Sequence, residues 1–173
     1  MRTVFALVAM VAVSVKSSDC ALAQSFGAPG PRQIRLGVLH PRGATADTFG
    51  DSLKGVLADL GPSKSDAGSM ITVGYFSGSR AGRSFTTAPI LLTRSGQATS
   101  PIPGIDGLYS STGLGAYLTR ADGAGSKTLW GGYAAIGLRL PGGLFAETQY
   151  HAVSGNVGGF APSGVAFVVG RRF

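Results

Sequence analysis

The chain has 173 residues and a mass of 17.5 kDa, with 28 Gly, 9 Pro, one Cys, 13% charged residues, a net charge of +7 and a mean hydropathy of +0.25. Ordinary soluble domains carry about a quarter charged residues and about 7% Gly, so the composition argues against that class, and no run reaches the roughly 18 apolar residues of a membrane-spanning helix. With 44% hydrophobic residues in recurring short runs, the chain can bury too much surface to stay disordered, which leaves one small strand-rich domain for an apolar setting.

The first element reads as an export segment. Met1, Arg2 and Thr3 form a basic start, residues 4–15 an apolar run, and Ala21-Leu22-Ala23 a small-x-small cleavage site before Gln24. That order predicts a secretory signal peptide over 1–23. The run is too short for an anchor helix, and Cys20 follows Asp19 rather than the small apolar residue of a lipoprotein signal. Cleavage would remove Arg2, Lys16 and Asp19, leaving 13 basic and 7 acidic groups, a net charge of +6. It would also remove the only Cys, and with it any disulfide, thiol or cysteine-metal chemistry. Residues 24–32 then form an N-terminal extension.

From Gln33 onward, short apolar or alternating stretches are separated by clusters of Gly, Pro, Ser, Asn and Asp, the pattern of strands joined by turns. Candidate strands cover 33–41, 52–60, 69–77, 83–94, 108–120, 127–140, 144–154 and 163–173. Each approaches the roughly 9–11 residues with which a tilted strand crosses a bilayer, and their number is even. The expected fold is all-β, an eight-stranded antiparallel up-and-down transmembrane barrel over 33–173. One element is ambiguous: Phe49, Leu53, Val56, Leu57 and Leu60, followed by Gly61, also fit a helix face. Gly50 and Gly55 oppose that helix, each by about 1 kcal/mol, and closure needs an even count, so a strand is preferred and a short lid helix is the alternative. Pro89 interrupts 83–94 by removing a ladder donor.

Alternation is clearest in the later strands. In 128–140, Trp130, Gly132, Ala134, Ile136, Leu138 and Leu140 share one face, opposite Gly131, Tyr133, Ala135, Gly137 and Arg139. In 144–154, Phe145, Glu147, Gln149 and His151 oppose Leu144, Ala146, Thr148, Tyr150 and Ala152. A soluble sandwich would carry far more Lys and Glu on its outer face, so the polar face is assigned to a lumen, where small residues beside large ones fill a narrow barrel.

The chain ends in an alternating strand containing Val165, Phe167 and Val169 and closing on Phe173. Here it resembles small outer-membrane β-barrel proteins of the OmpA-transmembrane or OmpX-like kind. The resemblance implies that Val165, Phe167, Val169 and Phe173 form the signal read by the barrel-assembly machinery, although Arg171 stands where such families often carry an aromatic. It further implies periplasmic termini in a Gram-negative-type outer membrane, a tight inner turn at Pro141-Gly142-Gly143, and outer loops near 42–51, 78–82, 121–126 and 155–162. Trp130, Tyr150, Phe167 and Phe173 are the candidate membrane-interface aromatics.

The inventory for catalysis is thin, with two histidines and few acids. Arg139, Glu147, Gln149 and His151 share the lumen-type face and are expected to form a paired polar network, because charges inside a narrow barrel must be offset. His151 and Ser154 invite comparison with outer-membrane lipid hydrolases, yet residues three apart on a strand point to opposite faces. Two histidines and scattered carboxylates give no metal-ligand spacing. Gly113-Leu114-Gly115 lies inside a strand and opens no phosphate-binding helix. The basic charge is scattered, against nucleic-acid binding. Arg42, Arg80, Arg83 and Lys127 fall at outer strand ends, where lipopolysaccharide phosphates are natural partners. The expectation is therefore a monomeric, non-enzymatic outer-membrane barrel without cofactor, with an envelope-structural or surface-interaction role. The alternatives are a small passive pore, a lipid hydrolase and a secreted soluble β-sandwich binding module.

Overall fold

The computed structural model describes residues 31–61, 69–97 and 107–173. The expected signal peptide and most of the N-terminal extension lie outside the described residues. Eight strands follow in chain order: β1 (Pro31–Pro41), β2 (Leu53–Leu60), β3 (Ser69–Arg80), β4 (Arg83–Gln97), β5 (Leu108–Ala121), β6 (Gly125–Arg139), β7 (Leu144–Ser154) and β8 (Gly164–Arg172). Each pairs antiparallel with the next, and β1 pairs with β8, so the sheet closes on itself. Closure leaves no edge strand, and a two-sheet sandwich is not formed. At the seam Gly37 opposes Val168, and the Phe173 amide extends the ladder by donating to Arg32 O at 2.9 Å.

Segment 47–60 resolves into two elements. A short helix, α1 (Ala44–Phe49), sits between Gly43 and Gly50, and β2 begins three residues later. Phe49, Leu53 and Leu57, which fit a helix stripe, are all buried. Leu53 and Leu57 reach the interior by strand alternation in β2, while Phe49 arrives from α1. Pro31 and Arg32 already belong to β1. The strands β3 and β6 run past their sequence patterns into the tight turns at 81–82 and 122–124, and β4 continues three residues beyond its pattern, to Gln97. The turn between β3 and β4 has only Ala81 (φ 51°) and Gly82 (φ 75°), the two positive φ values of a type I′ hairpin, whose twist matches that of the flanking strands.

Pro89 is accommodated without an edge. The β3–β4 pairing skips Gly74 and Tyr75 opposite Ala88 and Pro89 and resumes in the same register. Gly74 leaves room for the ring, since a Cβ there would lie 3.1 Å from Pro89 Cγ.

Inside, the large residues are matched to glycines on the neighbouring strand. Gly55 stands opposite Phe76, Gly113 opposite Tyr133, Gly137 opposite Tyr109 and Gly170 opposite Phe145. In each pair a Cβ on the glycine would overlap the aromatic ring. An eight-stranded barrel has an interior about wide enough for side chains alone, and these pairs let large rings lie flat against the wall. Much of the glycine excess is thereby a packing requirement.

Candidate functional site

The lumen has two layers. Toward the connections 42–52, 81–82, 122–124 and 155–163 it is apolar, built from Leu39, Leu53, Phe76, Phe85, Leu129 and Val157. The helix α1 closes this end. Phe49 is buried against Phe85 and Phe160, with ring centroids at 5.4 and 4.8 Å, and the Arg83 guanidinium lies 5.4 Å from the Phe49 centroid. Thr45 fixes the helix to the 155–163 connection: its hydroxyl donates to Ala161 O and accepts from Ala161 N, both at 2.9 Å.

Below the apolar layer, toward the chain termini, lies a polar cluster. Arg35 of β1, 1% exposed, sits between two carboxylates, Asp59 of β2 and Glu147 of β7. It bonds directly to Asp59, and its Nη1 lies 3.4 Å from Glu147 Oε2. Asp59 also accepts from Gln33 and from the Thr72 hydroxyl at 2.5 Å, and Thr72 lies 3.1 Å from Thr93 Oγ1. Glu147 accepts from Ser111 Oγ at 2.8 Å and Tyr109 OH at 3.1 Å. From Glu147 the bonding continues upward: Gln149 Nε2 donates to it at 3.3 Å, Gln149 Oε1 meets His151 Nε2 at 2.9 Å, and His151 Nδ1 meets Tyr117 OH at 2.9 Å. Because Gln149 Oε1 can only accept, His151 carries its proton on Nε2 and accepts from Tyr117. Two buried carboxylates against one guanidinium are tolerable because each has several neutral donors as well.

A cavity of about 60 Å³ adjoins this cluster, lined by Asp59, Thr93, Tyr109, Ser111 and Glu147 among others and reaching Arg32, Arg172 and Phe173 at the terminal mouth. It holds a few water molecules at most. The apolar layer lies between it and the other end.

Of the four residues expected in a lumen network, the structure brings Glu147, Gln149 and His151 together in one chain of hydrogen bonds. Arg139 faces the same interior at the end of β6, but its guanidinium lies over the Tyr109 ring, 5.4 Å from the centroid. The cation between the carboxylates is Arg35, and Arg35 and Asp59 are the residues sequence reasoning missed. Their signal was local: Arg35 stands between Ile34 and Leu36, and Asp59 between Ala58 and Leu60, each a charge inside an apolar alternating strand. His151 is buried in the lumen while Ser154 is exposed on the outer wall, so the Ser/His pair of a lipid hydrolase is not assembled.

The outer wall carries Leu114 (74% exposed), Trp130 (67%), Leu36, Leu92, Ile136 and Val169 among other apolar side chains. Trp130, Tyr150 and Phe167 are all exposed and lie in the upper halves of the consecutive strands β6, β7 and β8, while Phe173 is exposed at the opposite end. On β8, Phe167 and Val169 face outward with Val165 half-buried beside them, and Arg171 stacks over Phe173 at 6.0 Å. Among the described residues, every charged side chain on the outer face of a strand lies within three residues of a strand end. At the 122–124 turn, Asp122 accepts from the Ser84 hydroxyl (2.6 Å) and amide (2.8 Å), and these bonds hold its carboxyl below the usual range.

Fold and wall together define a closed eight-stranded up-and-down β-barrel with a side-chain-filled interior. The chain matches no protein-family model, no curated protein and no solved structure.

Proposed function

We infer that the protein is a non-enzymatic barrel of a bacterial outer membrane, embedded by its outer wall and serving an envelope-structural or surface-interaction role. The observation that carries this reading is the distribution of polarity on the outer wall: an apolar waist lies between two basic rims. Arg42, Arg80, Arg83, Arg120 and Lys127 are exposed at one end and Arg94, Arg171 and Arg172 at the other. A soluble barrel would reverse this pattern, since solvated strands carry their charges along the whole outer face. In a bilayer the waist matches the hydrocarbon and the rims reach lipid phosphates by snorkelling. Lipid or lipopolysaccharide is the partner this wall suits, and the exposed residues of β8 suit recognition by the barrel-assembly machinery during insertion. The filled lumen and its apolar layer weigh against a passive pore.

The test is electrophoretic mobility of the chain from Gln24 onward, refolded in detergent and compared with and without boiling. A heat-modifiable shift is expected, because a closed ladder resists detergent until heated. Folding in plain buffer with no shift refutes the membrane reading.

A further inference from the structure

The outer wall is not uniformly convex. On β6 and β7, the small residues Gly132, Ala134 and Ala152 floor a groove, and Leu114, Trp130 and Tyr150 stand around it. Gly132 is held small by its neighbours, since a Cβ there would run into the Gly113 carbonyl. The register explains the shape: Gly132 sits between Leu114 and Ala152, and Ala134 beside Tyr150, so short side chains alternate with tall ones. Such a groove is too apolar to bind a polar ligand.

One flank of the groove, at Tyr150, meets a cation. The Arg42 guanidinium lies 5.2 Å from the Tyr150 ring centroid, reaching across from β1, and the Arg42 amide donates to Ser163 O at 3.0 Å, which fixes the start of that connection. On the other side, Arg120 is exposed on the outer face of β5, two outward positions beyond Ala116, which itself opposes Trp130. An apolar trough flanked by a cation at Tyr150 is complementary to an anionic amphiphile. A second copy docked through the same face would bring the same cations with it.

We propose that this groove seats an acyl chain of a net-anionic phospholipid, whose phosphate, unmatched by a headgroup cation of its own, is held at Arg42. The inference rests on the membrane reading above. The Tyr150 ring orients the guanidinium by cation–π contact, so the charge is held beside the trough before the lipid arrives. The lipid then serves as a fixed part of the wall.

The experiment uses the refolded barrel released from micelles containing equal amounts of phosphatidylglycerol and phosphatidylcholine with identical chains, with bound lipid read by native mass spectrometry. One retained phosphatidylglycerol is expected, preferred by about fivefold, the scale of one arginine at a membrane surface. Arg42→Ala should abolish the preference, and Ala152→Phe, which fills the floor, should reduce retention of both lipids. Equal retention of the two lipids by the unmodified barrel, a preference unchanged in Arg42→Ala, or dimers in place of lipid adducts would each overturn the proposal. A heat-modifiable barrel that shows no preference refutes the lipid site alone, whereas a chain that folds without amphiphile refutes the membrane reading beneath it.

Discussion

Removing Arg35, the one fully buried cation among the described residues, should be costly, and the cost should be recoverable. Arg35 is almost fully buried between Asp59 and Glu147. Arg35→Met keeps an apolar stem but leaves two carboxylates facing a lumen with no cation between them. Breaking a buried ion pair from one side costs about 3–5 kcal/mol. Here the lower end applies, because Asp59 keeps Gln33 and Thr72, and Glu147 keeps Tyr109, Ser111 and Gln149, as donors. A loss of about 3 kcal/mol is therefore expected. The triple variant Arg35→Met, Asp59→Asn, Glu147→Gln removes all three charges while preserving shape, and should regain more than half of that loss, since an uncharged cluster carries no unpaired ion. The assay is reversible denaturant unfolding from lipid vesicles followed by fluorescence. Trp130 is the only tryptophan and faces outward, so its emission reports unfolding of the wall without itself touching the lumen. Two results would refute the reasoning: Arg35→Met within about 0.5 kcal/mol of the parent, the range of an ordinary surface substitution, or a triple variant no more stable than the single one, which would place the cost in lost packing of the arginine stem.

Gly113→Ala and Gly137→Ala should each displace the tyrosine ring that lies over them and cost about 1–3 kcal/mol by overpacking; combining Gly137→Ala with Tyr109→Leu should recover part of the loss in the same unfolding assay. Ala81 holds φ 51° in the β3–β4 turn, a conformation that asparagine tolerates better, so Ala81→Asn should stabilise the barrel by about 0.5–1 kcal/mol, and a loss of stability would contradict the turn assignment. Asp122 has its carboxyl held low by Ser84. Its contribution is complete above the ordinary aspartate range and disappears as pH falls through the lowered folded-state value. The stability difference between the parent and Asp122→Ala should accordingly be present at pH 6 and vanish in strong acid, and a difference that persists there would exclude the charge as its cause.

Strand number, order and facing were legible because period-two alternation is a local property: Glu147, Gln149 and His151 share a face by spacing alone. The ion pair was not legible, because it depends on which strand comes to lie beside which. Arg35 and Asp59 are 24 positions apart, and only the β1–β2 register, in which Arg35 opposes Leu57 with Asp59 one inward step further along, makes them neighbours. Arg139 satisfied the same local rule as Arg35 but falls at the last position of β6, where the Tyr109 ring takes up its guanidinium. The helix was legible only as an alternative to the strand over 47–60, because α1 is one and a half turns long and its large apolar residue, Phe49, merges into the pattern of β2. The turn at Ala81-Gly82 was blurred because alanine carries no propensity for the backbone angle it adopts there.

Among the described residues, the plug formed by α1, Phe49 and Phe160 closes one mouth of the barrel, whereas the polar cavity reaches Arg32, Arg172 and Phe173 toward the other. In the membrane setting proposed above, the cavity beside Arg35 and Glu147 would face the compartment that bathes the termini, with the apolar layer between it and the one beyond the loops. In a sealed vesicle, exchange of lumen hydroxyl and amide protons with heavy water should therefore depend on which side the isotope is added. The polar interior would then belong chemically to one compartment, although the wall around it lies between two.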